Sequence, residues 1–125
     1  MPGDDALGVM ADARARVLHD LNVDGADVAA TVSVVEDAVV ARGQWLAAWA
    51  EGAPFVAGLV AQDVQEALEE GAASVHLRWP ACRDCPDPAE HSLRIEPELG
   101  ENPCWVCERS GIVVAPLGEL AARTR

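Results

Sequence analysis

A chain of 125 residues can fold as one domain that buries about 65% of its unfolded surface, and it is too short for two ordinary hydrophobic cores. Twenty-one Asp and Glu stand against nine Arg and no Lys, for a net charge of −12, so repulsion from phosphate is the default and nucleic acid is a disfavoured partner. No segment approaches the roughly 20 apolar residues of a membrane span and no charged start precedes a long apolar run, so a cytoplasmic protein is expected.

Asp4 and Asp5 can cap a helix over 4–21, in which Leu7, Met10, Ala13, Val17, Leu18 and Leu21 recur at three- and four-residue steps. Asp12, Arg14, Arg16 and Asp20 fall mainly off that stripe and read as a solvated face. Residues 27–50 fit two periods. Val28, Val32, Val35 and Val39 suit a helix, but Val28, Ala30, Val32 and Val34 alternate with their neighbours and the β-branched density favours a strand. A second strand near 39–50 would place Trp45, Ala47 and Trp49 on one face, and a turn near Glu36-Asp37 would make the two a hairpin.

Gly52-Ala53-Pro54 breaks this pattern and opens a helix over 55–70, with Val56, Val60, Val64, Ala67 and Leu68 on one side and Glu66, Glu69 and Glu70 on the other. Those glutamates read as a solvated face, since nothing at a compatible spacing supplies a nucleophile or base. Beyond Gly71, short alternating strands are expected at 74–79, 92–96 and 112–115, with Leu117 to Leu120 finishing against the body. Among the aromatic residues, four Trp and one Phe, the tryptophans should supply the large pieces of the core.

All four cysteines fall in two C-x-x-C pairs, Cys82/Cys85 and Cys104/Cys107, with eighteen residues between them. Two residues between thiolates let one tight turn present both sulfurs to one ion, and two such turns complete a tetrahedron, so Zn2+ is the expected cofactor with Cys82, Cys85, Cys104 and Cys107 as its ligands. On that reading Cys104→Ser unfolds the C-terminal third. A redox dithiol is the rival, but Pro86 and Pro88 oppose the helix that normally lowers the pKa of the attacking cysteine. His91 is the only histidine close enough in sequence to replace a cysteine; with four thiolates already present it reads as a strand-start residue or a partner of a ligand. Four protein ligands leave no open position for substrate, so no catalytic residue is expected.

Two cysteine turns separated by short strands resemble the zinc ribbon over about residues 75–118, although Pro86 and Glu108 stand where that family has Gly or Lys. The resemblance implies one zinc clamped by the two turns and a small antiparallel sheet. Trp79-Pro80, His91-Ser92-Leu93, Cys104-Trp105-Val106-Cys107 and Leu117-Gly118 together also resemble small proteins of high-GC bacteria, which supplies no activity. The expected fold class is α+β: a helix/β-hairpin/helix body over 1–74, a C-terminal antiparallel zinc ribbon over 75–120 packed on it, and a tail over 121–125. The expected function is a non-enzymatic, acidic protein-interaction module whose partner protein carries a basic surface. The alternatives are a nucleic-acid-binding ribbon using Arg78, Arg83, Arg94 and Arg109, and a redox or metal sensor using the C-x-x-C pairs.

Overall fold

The computed structural model describes residues 2–23, 28–71, 78–82, 85 and 91–121. Three helices come first: α1 (Pro2–Val23), α2 (Val28–Ala48) and, after a 3-10 turn over Ala50–Phe55, α3 (Val56–Glu69). A three-stranded antiparallel sheet follows, β1 (Leu93–Glu96), β2 (Cys104–Cys107) and β3 (Val113–Pro116), in the order β1-β2-β3. The fold is therefore α+β with its strands at the C-terminal end. The proposed strand at 74–79 falls largely outside the described residues, and Arg78 and Trp79 are not in a strand.

Helix α1 buries Ala13, Val17, Asp20 and Leu21, the three- and four-residue rhythm of its apolar stripe, with a carboxylate set in the same face. Helix α3 buries Val56, Gly58, Val60, Ala61, Val64 and Leu68, as its sequence stripe requires. The β-hairpin expected within 27–50 is replaced by α2. Thr31, Val34, Val35, Ala38 and Leu46 are its buried positions, a helical rather than an alternating set. Valine alternation supports either period; here the face packed on α1 and α3 decides, because tertiary burial outweighs β-propensity of a few tenths to about 1 kcal/mol. The end of α2 turns tightly. A Cβ on Gly52 would lie 2.4 Å from Trp45 Cη2, so only glycine admits this approach of chain to indole.

The sheet lies on α3. Ile95 Cγ2 and Pro103 Cβ sit 3.5 and 3.3 Å from where a Cβ on Gly58 would stand. Gln65 Nε2 donates to the carbonyls of Trp79 (3.0 Å) and Leu93 (2.7 Å), and Gln62 Nε2 donates to Glu98 O (2.7 Å). Trp79 and Trp105, both buried, meet edge to face with ring centroids 5.1 Å apart. Leu93, Ile95, Leu117 and Leu120 join the helical residues in one continuous core, so body and sheet share their interior. Among the described residues no helix is long and apolar enough to cross a membrane.

Candidate metal centre

Residues 80–82 run antiparallel to 91–93. Leu93 N donates to Pro80 O and Cys82 N donates to His91 O, each at 2.9 Å, with a bridge between Ala81 and Ser92. This pairing sets Cys82 and His91 opposite one another. Across the sheet, Leu93 of β1 pairs with Cys107 of β2, and Glu108 closes the corner: its N–H donates to Ser92 O (3.2 Å) and its Oε1 accepts from Ser92 N (2.9 Å). Four potential ligands converge as a result. The donor atoms of Cys82, Cys85, His91 and Cys107 all lie within 4.8 Å of one another, and these four residues could hold a metal ion.

Tetrahedral Zn–S bonds of about 2.3 Å place neighbouring sulfurs about 3.8 Å apart, within reach of this arrangement. Cys85 Sγ and His91 Nε2 are already in contact at 3.0 Å. His91 and Cys107 are buried, whereas Cys82 and Cys85 are half-buried. Ser110 N donates to Cys107 Sγ at 3.3 Å, and Gly111, at φ +76°, turns the chain so that its own N–H reaches Cys107 O at 3.0 Å. Hydrogen bonding from the Ser110 side chain first, then from the backbone of Ser110 and Arg109 and from Cys82, pulls the Cys107 thiol down to about 6, while burial acts in the opposite direction. A thiolate is the form a metal binds.

Cys104, expected as a ligand, lies outside this group. Residues paired across an antiparallel ladder share a face, so the register Leu93↔Cys107, Ile95↔Trp105 and Glu96↔Cys104 puts Cys107 with the buried Leu93 and Cys104 with the exposed Glu96. The second C-x-x-C is an extended strand and not a turn. Three residues along a strand reverse the face, so Cys104 and Cys107 cannot grip one ion as neighbours in a turn do. Cys104 Sγ instead points its thiol at Asn102 O, 3.5 Å away. His91 takes the fourth place. The signal that could have found it is the strand character of Cys-Trp-Val-Cys, which separates its own two sulfurs and leaves the fourth place open for His91.

A second polar centre escaped the sequence reading. Asp20, fully buried in α1, accepts from Trp105 Nε1 (2.8 Å) and Gly118 N (2.7 Å) at Oδ2, and from Leu120 N (3.2 Å) at Oδ1, where His19 Nδ1 also lies at 2.7 Å. Its backbone carbonyl accepts from Trp79 Nε1 at 3.2 Å. One residue of α1 thus holds both core indoles and the segment after β3, and Trp105 stands two residues from the candidate ligand Cys107.

Residues 7–117 match the family described as a domain of unknown function, DUF8819, and the chain belongs to that family. No curated protein and no solved structure matches the chain.

Proposed function

We propose that this chain is a non-enzymatic protein-interaction module, stabilised by one structural zinc ion held by Cys82, Cys85, His91 and Cys107 in a ribbon-like sheet. The observation that carries the reading is the convergence of three thiols and one imidazole within 4.8 Å of one another. Sulfur and imidazole donors in a four-fold set suit Zn2+ better than hard cations, which prefer oxygen. When bound, the ion would cross-link the 80–93 segment to the end of β2. Four protein donors leave it no position for water or substrate, which favours a structural role over a catalytic one.

A net charge of −12 supports a protein partner with a basic surface and weighs against phosphate backbones. Arg94, one of the arginines a nucleic-acid-binding ribbon would use, is engaged by Glu96 at 3.3 Å. Thiol ligands fit a reducing compartment, the cytoplasm.

Native mass spectrometry of protein purified under reducing conditions, before and after chelation, tests the metal reading. One zinc per chain, lost to chelator, is the expected result, with X-ray absorption reporting three sulfur neighbours and one nitrogen. A metal-free chain lighter by two or four protons would mean disulfides and would replace this reading with redox chemistry. Cross-linking in a native lysate tests the partner, which should be a basic protein captured by the wild type and lost from His91→Ala.

A further inference from the structure

Helices α2 and α3 leave between them a groove of about 280 Å³ that the metal centre does not use. Val34, Ala38 and Ala41 of α2 and Ala67 of α3 line it together with Ser33, Asp37 and Asp63. Such short side chains let another helix approach closely. Asp63 is held by Arg42 through two hydrogen bonds of 2.6 and 2.9 Å, whereas Asp37 is exposed.

The groove leads toward an aromatic corner. Ser33, Asp37 and Ala41 follow one four-residue row of α2 whose next member is Trp45, and Trp49 comes just past the end of the helix. Trp49 N donates to Trp45 O at 3.0 Å and closes the last turn of α2, while its own backbone, at φ −147° and ψ 84°, leaves the helix. Trp49 is 41% exposed, yet its ring is braced edge-on by Trp45 (centroids 5.2 Å) and at a tilt by Phe55 (6.0 Å). A braced, exposed indole on the chain eight residues beyond Ala41 is the kind of residue that anchors interfaces. The corner already shows which chemistry it accepts, since the Arg42 guanidinium stands 5.6 Å over the Trp45 ring.

We infer that this face receives an amphipathic helix of a partner protein, with small apolar residues along one edge, flanked by Arg or Lys. The apolar edge fills the groove, one cation meets Asp37 and another meets the open face of Trp49. Charge selects this occupant over a second copy, which would bring its own −12 and its own Asp37 against the same groove. Helix-in-groove recognition supplies the geometry. The inference rests on the reading of the chain as an interaction module and adds the place and the partner's chemistry.

The test is an NMR titration of the full reduced chain with its metal site as purified. The probe is a synthetic amphipathic helix of Leu, Ala and Arg of about 18 residues, enough to run from Ser33 to Trp49 at about 1.5 Å per residue. Its counterpart carries Glu in place of every Arg. Only the Arg peptide should act, with perturbations concentrated on residues 33–41 and 63–67 and on the indole N–H signals of Trp45 and Trp49. Asp37→Lys and Trp49→Ala should each weaken binding at least tenfold. Ala41→Gln, which fills the groove without changing charge, should do the same, and Glu98→Lys, on the sheet side of α3, should change it less than twofold.

Equal losses in Asp37→Lys and Glu98→Lys, with none in Ala41→Gln, would mean diffuse charge attraction and overturn the inference. Perturbations confined to the sheet would overturn the location and leave the module reading standing. Concentration-dependent shifts of the same signals without peptide would make a second copy the occupant, which also overturns it. Failure of the module reading shows elsewhere, in the absence of zinc and of a captured partner.

Discussion

Trp105 Nε1 donates to Asp20 Oδ2 over 2.8 Å, joining residues eighty-five positions apart in the sequence and both fully buried. The carboxylate sits in the last turns of α1, where the helix dipole disfavours negative charge. Its N–H donors from Trp105, Gly118 and Leu120 supply the compensation.

Asp20→Ala leaves those three buried or half-buried donors without their acceptor and should cost about 3–5 kcal/mol, as for other broken buried charged networks. Asp20→Asn keeps the volume but turns an NH2 group toward N–H donors and should cost about 2 kcal/mol or more. Urea unfolding followed by tryptophan fluorescence measures both. A loss below about 1 kcal/mol for Asp20→Ala would show that the hub does not hold body and sheet together.

The ligand set separates the cysteines by consequence. His91→Ala and Cys107→Ser should each abolish stoichiometric zinc, whereas Cys104→Ser should keep one zinc per chain and a folded sheet. The sequence alone led to the opposite expectation for Cys104. Zinc quantification after gel filtration decides it, and loss of zinc from Cys104→Ser would restore the four-cysteine site.

Acid should weaken the chelated protein through Cys107. Its folded thiol, at about 6, lies below the ordinary value of 9.0, so the unfolded chain binds the proton more readily. The thiolate's contribution is complete above about 9, declines as the pH falls from there, and is gone below about 6. Unfolding free energies of chelated wild type and chelated Cys107→Ser should therefore converge as the pH falls across that window. A gap that stays constant from pH 9 to 6 would disconnect this thiol from stability.

Gly118 is fixed by two constraints at once. Its φ is +90°, and an added Cβ would stand 2.7 Å from Arg16 Cγ and 3.2 Å from the Arg16 Cα. Gly118→Ala should cost about 1–3 kcal/mol, from left-handed strain together with displacement of the Arg16 stem. The same change at Gly111, at φ +76° with open space around it, should cost only the conformational part, about 1 kcal/mol. Thermal melts of the two variants compare them, and equal losses would mean that the Arg16 contact yields freely.

Much of the fold is legible locally and the rest is not, for physical reasons. Helices α1 and α3 announce themselves because their buried residues recur at helical steps, and β1 and β3 because short alternating runs end at Pro97 and begin after Gly111. The valine-rich stretch that became α2 satisfies both periods, and its neighbours α1 and α3 decide between them. The spacing of the cysteines suggested a metal centre, but a ligand set depends on which face of β2 each sulfur occupies, and that is fixed by pairing with β1. Asp20 looks like any surface aspartate in an amphipathic helix; the N–H donors of Trp105, Gly118 and Leu120 that its carboxylate accepts from lie 85 to 100 residues further on, beyond the reach of any local pattern.

On the proposed zinc site, the distribution of the ligands along the chain would also order events in time. Cys82, Cys85 and His91 fall within ten residues, so a growing chain presents three donors before β2 has been synthesised, and closing so short a loop costs little entropy. A metal ion caught by this claw would hold residues 80–93 as a template, on which β2 arrives with Cys107 as the fourth donor and Trp105 facing inward. Asp20, made long before, then receives its indole and, after β3, the amides of Gly118 and Leu120. On this scheme Asp20, among the first residues made, is among the last to acquire its partners.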